Sequence, residues 1–476
     1  MYFTIFGQVH FVNNFILINQ IKNPIHLNMA SEVRLKEEIE EIAKNEIPTK
    51  GSFLRIYGGY SINGEIEPQG NKNEALPALA ACCLTDEEMT LENLPFIEDV
   101  RVMIKILESL GAKIQIKDLS TAVIKVSGKI KTELPPDLCG SMRGSVTLAG
   151  PLLAKYGKVT LPRPGGDRIG RRRLDTHILA LRALGAKVKV KPSGFELSAS
   201  GLKGADILLD EASVTATENA ICAAVLAEGE TIIRNAASEP HVQGLCRMLN
   251  SMGAKIDGIG TNVLRIKGVE KLNATTHRIG PDYQEIGSFI ALAAVTHGEL
   301  RIKNVQILDL RMIRMVFEKL GVKTIEDGND LIIPKKQSLK IVSDIGGAIT
   351  KIDDAPWPGF PSDLTSVALV TATQCKGTVL IHEKMYESRL YFTDSLINMG
   401  ARIILCDPHR AVVIGPARLY GTRVNSPDIR AGMSLLIAAL CAEGESNIYN
   451  VTQIDRGFYK IDQRLAALGA KIERVN

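Results

Sequence analysis

Between Pro162 and His177 the chain reads Pro-Arg-Pro-Gly-Gly-Asp-Arg-Ile-Gly-Arg-Arg-Arg-Leu-Asp-Thr-His. Three glycines and five arginines surround the carboxylate of Asp167, directly before an apolar-periodic segment that opens at Leu174. Such a loop is poorly suited to a core. Glycine lets backbone N–H groups turn toward a ligand, and guanidinium groups offer planar forks that match carboxylate or phosphate. A bare run of arginines faces water by default. The rest of the chain gives this one a different reading.

Similar polar groups recur at the starts of apolar helical patterns: Gly70-Asn-Lys-Asn73, Ser141-Met-Arg143, Ser213-Val-Thr-Ala-Thr217, Pro361-Ser-Asp363 and Asp428-Ile-Arg430. A helix N-terminus already carries partial positive charge and free N–H donors, so a cation placed there opposes the dipole unless an anion binds. A second set follows the second strand of each pattern: Asp99, the Asp167 and Arg172 loop, Glu239, Asp309, Arg389, and Asp455 with Arg456. Together they predict one shared polar rim around a strongly anionic ligand carrying carboxylate and phosphate. No Walker loop, Gly-x-Gly-x-x-Gly, Gly-x-Ser-x-Gly or His-Glu-x-x-His occurs. The chemistry left is positioning by cations with acid–base work by carboxylates.

An internal repeat must bring these scattered groups together. A leucine, methionine or valine-flanked glycine followed by a short polar-apolar strand appears six times, at Gly111, Gly185, Gly253, Gly321, Gly400 and Gly469, spaced by 68 to 79 residues. Each copy predicts a helix ending in a left-handed glycine cap, preceded by a second Ala- and Leu-rich helix and β-branched strands. A unit near seventy residues is too small to bury a full core alone, so the units are expected to cluster, three to a domain. The predicted fold class is α/β, with two similar domains each of three βαβαββ-type units forming an inside-out α/β barrel. The active site falls in the interdomain cleft. Joins are expected near Gly70 and Pro281: residues 52–71 plus 282–476 form one three-unit domain, and 72–281 the other, which carries the catalytic loop 162–177.

Composition narrows the class. The chain has 476 residues, is 45% hydrophobic and 23% charged, and carries a net charge of only +4, which argues against a nucleic-acid or membrane-surface partner. Eight cysteines without a Cys-x-x-Cys spacing predict neither a disulfide framework nor a metal site, and a cytoplasmic location. Residues 1–51 read as an extra N-terminal arm, helical and exposed from Glu32 to Asn45. Met1 to Asn28 has neither a signal-peptide nor a membrane-span pattern. Met29 is the expected true start, with the preceding stretch a start-site artefact.

Six motifs carry a resemblance: Gly70 to Pro77, Met142 to Val146, Pro164 to Gly170, Pro358 to Asp363, Asp428 to Gly432 and Ile454 to Phe458. Collinear from about Leu54 to the C-terminus, they resemble the UDP-N-acetylglucosamine 1-carboxyvinyltransferase family of enolpyruvyl transferases. The resemblance implies transfer of the enolpyruvyl group of phosphoenolpyruvate to the 3′-hydroxyl of UDP-N-acetylglucosamine, with release of phosphate. The route is addition then elimination through a tetrahedral ketal, the first committed step of peptidoglycan synthesis. It implies no cofactor, and a monomer or weak homo-oligomer.

The same resemblance assigns roles. Lys72 contacts phosphoenolpyruvate, with Asn73 beside the sugar. Arg143, Arg172 and Arg456 clamp phosphate, Arg389 and Arg430 flank the carboxylate and the closing loop, and Asp363 is the general base for the 3′-hydroxyl. Leu174, Asp175, Thr176 and His177, with Ser213 and Thr215, fall where the family holds the uridine diphosphate. Asp167 stands where many members have cysteine. The departure implies a carboxyl general acid, with Arg168, Arg171 and Arg172 depressing its pKa, and resistance to fosfomycin, whose epoxide alkylates a thiolate. Two rivals remain: the sister enzyme acting on shikimate 3-phosphate, whose first motif would read Lys-Ser and lack the Gly-Gly-Asp loop, and a non-catalytic binding paralogue.

Overall fold

A computed structural model of the chain describes residues 37–40, 42, 51–167 and 169–475. The rest of the N-terminal arm, Met29 and Arg168 lie outside these. The described part of the arm is helical but not simply exposed. Ile42 is buried against the first core, and Glu38 accepts hydrogen bonds at 2.8 Å from both the Tyr459 hydroxyl and Lys460 Nζ.

The repeat is a physical unit. Between residues 206 and 267, strand Asp206–Leu208 leads into helix Val214–Ala224, then strand Glu230–Arg234, helix Pro240–Ser251, and the hairpin Lys255–Asp257 and Val263–Lys267. The first two strands pair parallel and the hairpin adds antiparallel. All six repeat glycines take positive φ, from +79° to +113°, at the turn out of the outer helix, where a side chain would be strained. Five sheets have four strands. The sixth, built from Lys158–Pro162, Gly194–Ser198 and Lys187–Lys191, keeps only a one-residue parallel bridge from Glu133 to Thr160. Pro135 and Pro136 end that strand, because proline has no N–H to continue a ladder.

The chain closes each half from a distance. Thr276–Arg278 supplies the parallel partner of Glu88–Glu92, and Gly64–Ile66 that of Leu300–Ile302. Phe53–Tyr57 inserts between Glu445–Tyr449 and Lys471–Val475. Buried apolar residues accordingly form two cores, one drawn mainly from Ala75 to Ile279, the other from Leu54 to Ile66 with Tyr283 to Ala470. In each half three sheets surround three inner helices. In the second these are Tyr283–Val295, Thr365–Thr373 and Ile429–Cys441, the first two buried along their whole length. An all-round apolar helix has nowhere else to go. Of the outer helices, Arg311–Lys319 buries one stripe, through Ile313, Val316 and Phe317, whereas Glu98–Leu110 is buried over most of its surface. The sheets remain separate, so the expected inside-out barrel is three sheets packed on helices rather than a closed hydrogen-bonded cylinder.

Two adjacent segments cross between the halves. Gly70 bridges Pro281, the Asn71 N–H donates to the Gly280 carbonyl at 2.7 Å, and the Asp282 N–H to Gln69 at 2.8 Å. Each crossing immediately caps an inner helix: Asn71 caps Lys72–Ala81, and Asp282 caps Tyr283–Val295. The inner helices of both halves thereby start at the junction. None of the eight cysteines is paired, and no helix among the described residues is long and apolar enough to cross a membrane.

Candidate active site

A cavity of about 210 Å3, open to solvent, lies between the halves and is walled by both. Two of its buried charges, Lys72 and Arg430, sit where inner helices begin. The Asn71 side chain accepts the N–H groups of Asn73 at 2.8 Å and Glu74 at 3.2 Å, so the helix starts at Lys72. Lys72 Nζ, only 9% exposed, donates to Asp99 Oδ2 at 3.2 Å. Asp99 also receives Arg456 Nε at 2.9 Å, and Arg456 Nη1 donates to Asp167. One guanidinium from the second half thus ties together a helix start and the glycine-rich loop of the first. Burial opposes the charge on Arg456, but Asp99 and Asp167 outweigh it and hold the guanidinium charged.

Across the cavity Asp363 is gripped twice. Arg389 Nη2 and Arg430 Nε each donate to it at 3.0 Å, and Arg430 Nη2 also donates to Gln284 Oε1. Burial pushes the Asp363 carboxyl up, yet Arg430, Arg389 and Lys72 overcome it and hold the group well below the usual carboxylate range. Asp428 places Arg430 by capping its helix, accepting the Arg430 and Ala431 N–H groups at 2.8 and 2.9 Å. Among the described residues Arg389 Nε and Nη1 are buried donors without a hydrogen-bond partner, with Nε 3.8 Å from Glu383 Oε2.

A third cluster lines the outer wall. Burial, then the neighbouring Arg172, lower Arg143 to about 10. Arg172 and Arg389 lie over the Tyr386 ring, at 5.9 and 5.0 Å from its centroid. The loop holding Asp167 is docked here. The Ser388 N–H donates to the Ile169 carbonyl at 3.0 Å, the Arg171 N–H to Glu387 Oε2 at 3.2 Å, and the Gly165 N–H to the Cys139 carbonyl at 2.9 Å.

The floor is polar and incompletely paired. Glu218, Glu239 and His241 each carry a buried atom, Oε1, Oε2 and Nε2 respectively, with no hydrogen-bond partner. Burial, reinforced by Glu239 and Glu74, raises Glu218 well above the usual carboxylate range. Burial lowers His241 to about 4, so its ring is neutral. The Tyr283 hydroxyl lies 3.2 Å from His241 Nδ1, and the Tyr283 ring lies 5.8 Å from that of Trp357. If the hydroxyl donates to Nδ1, Nε2 carries the proton and faces the cavity as a donor.

Of the residues given a catalytic or binding role by the resemblance, ten line this cavity: Lys72, Asn73, Arg143, Asp167, Arg172, Thr215, Asp363, Arg389, Arg430 and Arg456. Leu174, Asp175, Thr176, His177 and Ser213 do not. Asp175 is exposed and pairs with Arg173 at 2.8 Å, and Thr176 bonds Asp210 at 2.7 Å. His177 is buried behind Thr215, with Nε2 3.1 Å from the Thr215 hydroxyl and Nδ1 3.0 Å from Asn219 Nδ2, an arrangement that supports the wall instead of forming it. Burial, then Arg143, push its ring down to about 3.

Within the expected rim, Asp99 and Glu239 reach the cavity. Asp455 instead pairs with Arg474 at 2.7 Å. The sequence sets Arg168, Arg171 and Arg172 against Asp167; among the described residues Asp167 pairs instead with Arg456, while Arg172 lies over the Tyr386 ring and Arg171 meets Glu387 through its backbone N–H. Glu218, His241, Tyr283, Trp357 and Tyr386 escaped the sequence reading. The available signals were a glutamate inside an otherwise small and apolar helix, and the only tryptophan of the chain.

The chain matches the EPSP synthase (3-phosphoshikimate 1-carboxyvinyltransferase) family over residues 56–465. It is 58% identical over 419 residues to UDP-N-acetylglucosamine 1-carboxyvinyltransferase of Treponema denticola, covering 88% of this chain and 98% of the relative. Like-named proteins of Borreliella burgdorferi and Bacteroides thetaiotaomicron are 55% and 51% identical, covering 88% and 89% of this chain and 98% and 100% of their own. Among solved structures, the enolpyruvyl transferase NikO of Streptomyces tendae superposes with a TM-score of 0.79 at 23% identity, over 90% of this chain and 99% of that one. EPSP synthase of Acinetobacter baumannii follows at 0.69 and 18% identity, over 90% and 100%. At those identities the structural likeness speaks for the fold.

Proposed function

The chain belongs to the UDP-N-acetylglucosamine 1-carboxyvinyltransferase family, within the enolpyruvyl transferases, and on that premise we propose that it transfers the enolpyruvyl group of phosphoenolpyruvate to the 3′-hydroxyl of UDP-N-acetylglucosamine, releasing phosphate. The observation that carries the reading is the pairing, across one cavity, of a cationic cluster with a carboxylate held ionised. Lys72 and Arg456 stand on one side, and Asp363 between Arg389 and Arg430 on the other. The unpaired polar atoms of Glu218, Glu239 and His241 suit the hydroxyl and acetamido groups of a sugar lying between them.

The chemistry follows from the charges. Asp363 takes the proton of the 3′-hydroxyl as that oxygen bonds to C-2 of phosphoenolpyruvate, and a proton is delivered to C-3, giving the tetrahedral ketal. In the second step C-3 gives a proton up, the double bond re-forms, and the C–O bond to phosphate breaks with its electron pair leaving on phosphate. Lys72, Arg143, Arg172 and Arg456 hold that phosphate, and preorganised cations of this kind stabilise the charge as it develops. Asp167 is the group assigned to C-3. Its partner is Arg456; a substrate phosphate arriving at Arg456 displaces the carboxylate and frees it to face C-3.

The reaction needs no metal or organic cofactor. The chain acts as a cytoplasmic monomer or weak homo-oligomer, its net charge of +4 giving no basis for a nucleic-acid or membrane partner. A coupled phosphate-release assay tests the function: release that requires both phosphoenolpyruvate and UDP-N-acetylglucosamine supports it. Release with shikimate 3-phosphate instead would favour the sister reaction, and tight nucleotide binding without release a non-catalytic paralogue.

A further inference from the structure

Behind Arg389 lies a pair of carboxyl groups that the reaction above does not use. Strands Thr350–Asp353 and Gly377–His382 run parallel with Asp353 opposite His382, so the next residues, Asp354 and Glu383, leave the sheet side by side. Both are fully buried. Asp354 Oδ1 accepts the Lys384 N–H at 2.5 Å; Glu383 Oε1 accepts the Ser362 hydroxyl at 2.7 Å and the Tyr386 N–H at 3.2 Å. The remaining oxygens, Asp354 Oδ2 and Glu383 Oε2, have no hydrogen-bond partner among the described residues, although the strand register sets the two residues side by side. Buried carboxylate oxygens left in this state are costly, and two adjacent ionised carboxylates more so. A single proton between them satisfies both.

The charges around the pair agree with one proton. Arg389 Nε is 3.8 Å from Glu383 Oε2, but that guanidinium already pairs with Asp363 at 3.0 Å, and Arg430 lies beyond. Lys384 Nζ turns away to Asp353 at 2.8 Å, and His409 faces the Glu383 backbone carbonyl through Nδ1 at 2.7 Å. Arg389 also faces Asp428 and Arg430 also faces Asp282, so neither guanidinium is left to neutralise a second negative charge on the pair. Burial, opposed by Arg389 and reinforced by Asp354, raises Glu383 above the usual carboxylate range.

We propose that Asp354 and Glu383 share one proton and form a positioning pair: Glu383 backs Arg389 and tethers Ser362, so that Arg389 and the neighbouring Asp363 are aimed at the carboxylate of phosphoenolpyruvate and the attacking hydroxyl. The inference rests on the function proposed above. It is tested by infrared difference spectroscopy and kinetics on the full chain. Subtracting the Glu383→Gln or Asp354→Asn spectrum from wild type should reveal the carbonyl stretch of a buried protonated carboxyl at neutral pH. Asp354→Asn, which keeps a hydrogen bond and the same net charge, should retain turnover within about threefold, whereas Asp354→Ala should raise KM for phosphoenolpyruvate at least about tenfold with a smaller change for the nucleotide sugar. The alkaline fall in kcat/KM, where the shared proton leaves, should be absent from Asp354→Asn. Absence of the difference band, or an asparagine variant as impaired as the alanine one, overturns the pair in an otherwise active enzyme. A wild-type chain that releases no phosphate from the two substrates overturns the functional reading and the positioning role with it.

Discussion

Arg456 donates to Asp167 across the junction of the two halves, a contact between residues 289 positions apart. It makes the loop carboxylate an ion-pair partner of Arg456, and in the proposed reaction a substrate phosphate takes its place. Asp167→Asn keeps the shape and the hydrogen bond but cannot carry a proton. Steady-state phosphate release should show kcat lower by about 10²–10⁴-fold, with KM for the nucleotide sugar within about threefold of wild type. Unchanged turnover would remove Asp167 from proton transfer.

The same position governs alkylation. A carboxylate paired to Arg456 is a poor nucleophile toward an epoxide, so prolonged incubation with fosfomycin should leave activity intact. Asp167→Cys should convert the enzyme to a time-dependently inactivated one, because Arg456 favours the thiolate there. Intact-protein mass spectrometry reads both outcomes. A covalent adduct on the wild-type chain would contradict the assignment.

Asp363 separates binding from chemistry. Its two arginines keep it ionised far below neutral pH, so the base is ready throughout the assay range and does not contribute an acid limb near neutrality. Asp363→Asn should lower kcat by about 10²–10⁴-fold. KM for the anionic phosphoenolpyruvate should hold or fall, since the substitution removes a negative charge from between Arg389 and Arg430. A variant that loses affinity while keeping turnover would make Asp363 a binding group only.

These predictions show which parts of the molecule are written locally in the sequence. The six glycines are legible because a left-handed turn after a helix restricts residue choice at one position, and Lys72, Asp363 and Arg430 stand at helix starts marked by Asn71, Pro361 and Asp428. The floor was hidden for the opposite reason. Glu218, His241, Tyr283 and Trp357 come from separate segments on both sides of the junction, and no spacing along the chain records their meeting. His177 misled for a related reason: its neighbours in sequence mark a site, but the turn of helix Asp175–Ala183 carries its ring inward to Asn219.

That inward ring makes stability depend on pH. His177 titrates near 3 in the folded chain, against an ordinary value near 6.5, so between those values only the unfolded chain binds the proton and stability falls as pH drops. In urea titrations the stability advantage of wild type over His177→Gln should shrink by about 2–3 kcal/mol between roughly pH 7 and pH 4.5. A pH-independent difference would mean that the ring accepts its proton without leaving the fold.

Closure of the loop hangs on Gly170. Its φ is +133°, and a Cβ there would lie 2.2 Å from Glu387 Oε2, the atom that receives the Arg171 N–H. The carboxylate can swing aside, but the backbone cannot relax without withdrawing Ile169 from Ser388. Gly170→Ala therefore costs the docked state about 1–3 kcal/mol, which multiplies the undocked fraction about five- to hundredfold. Limited proteolysis near Gly165 and Gly166 should accelerate accordingly while the rest of the chain stays resistant, and UDP-N-acetylglucosamine should protect wild type more than the variant. Because Asp167 lies on the same loop, kcat should fall in step with the docked fraction. Equal cleavage of wild type with and without the nucleotide sugar would mean that ligand binding does not stabilise the docked loop.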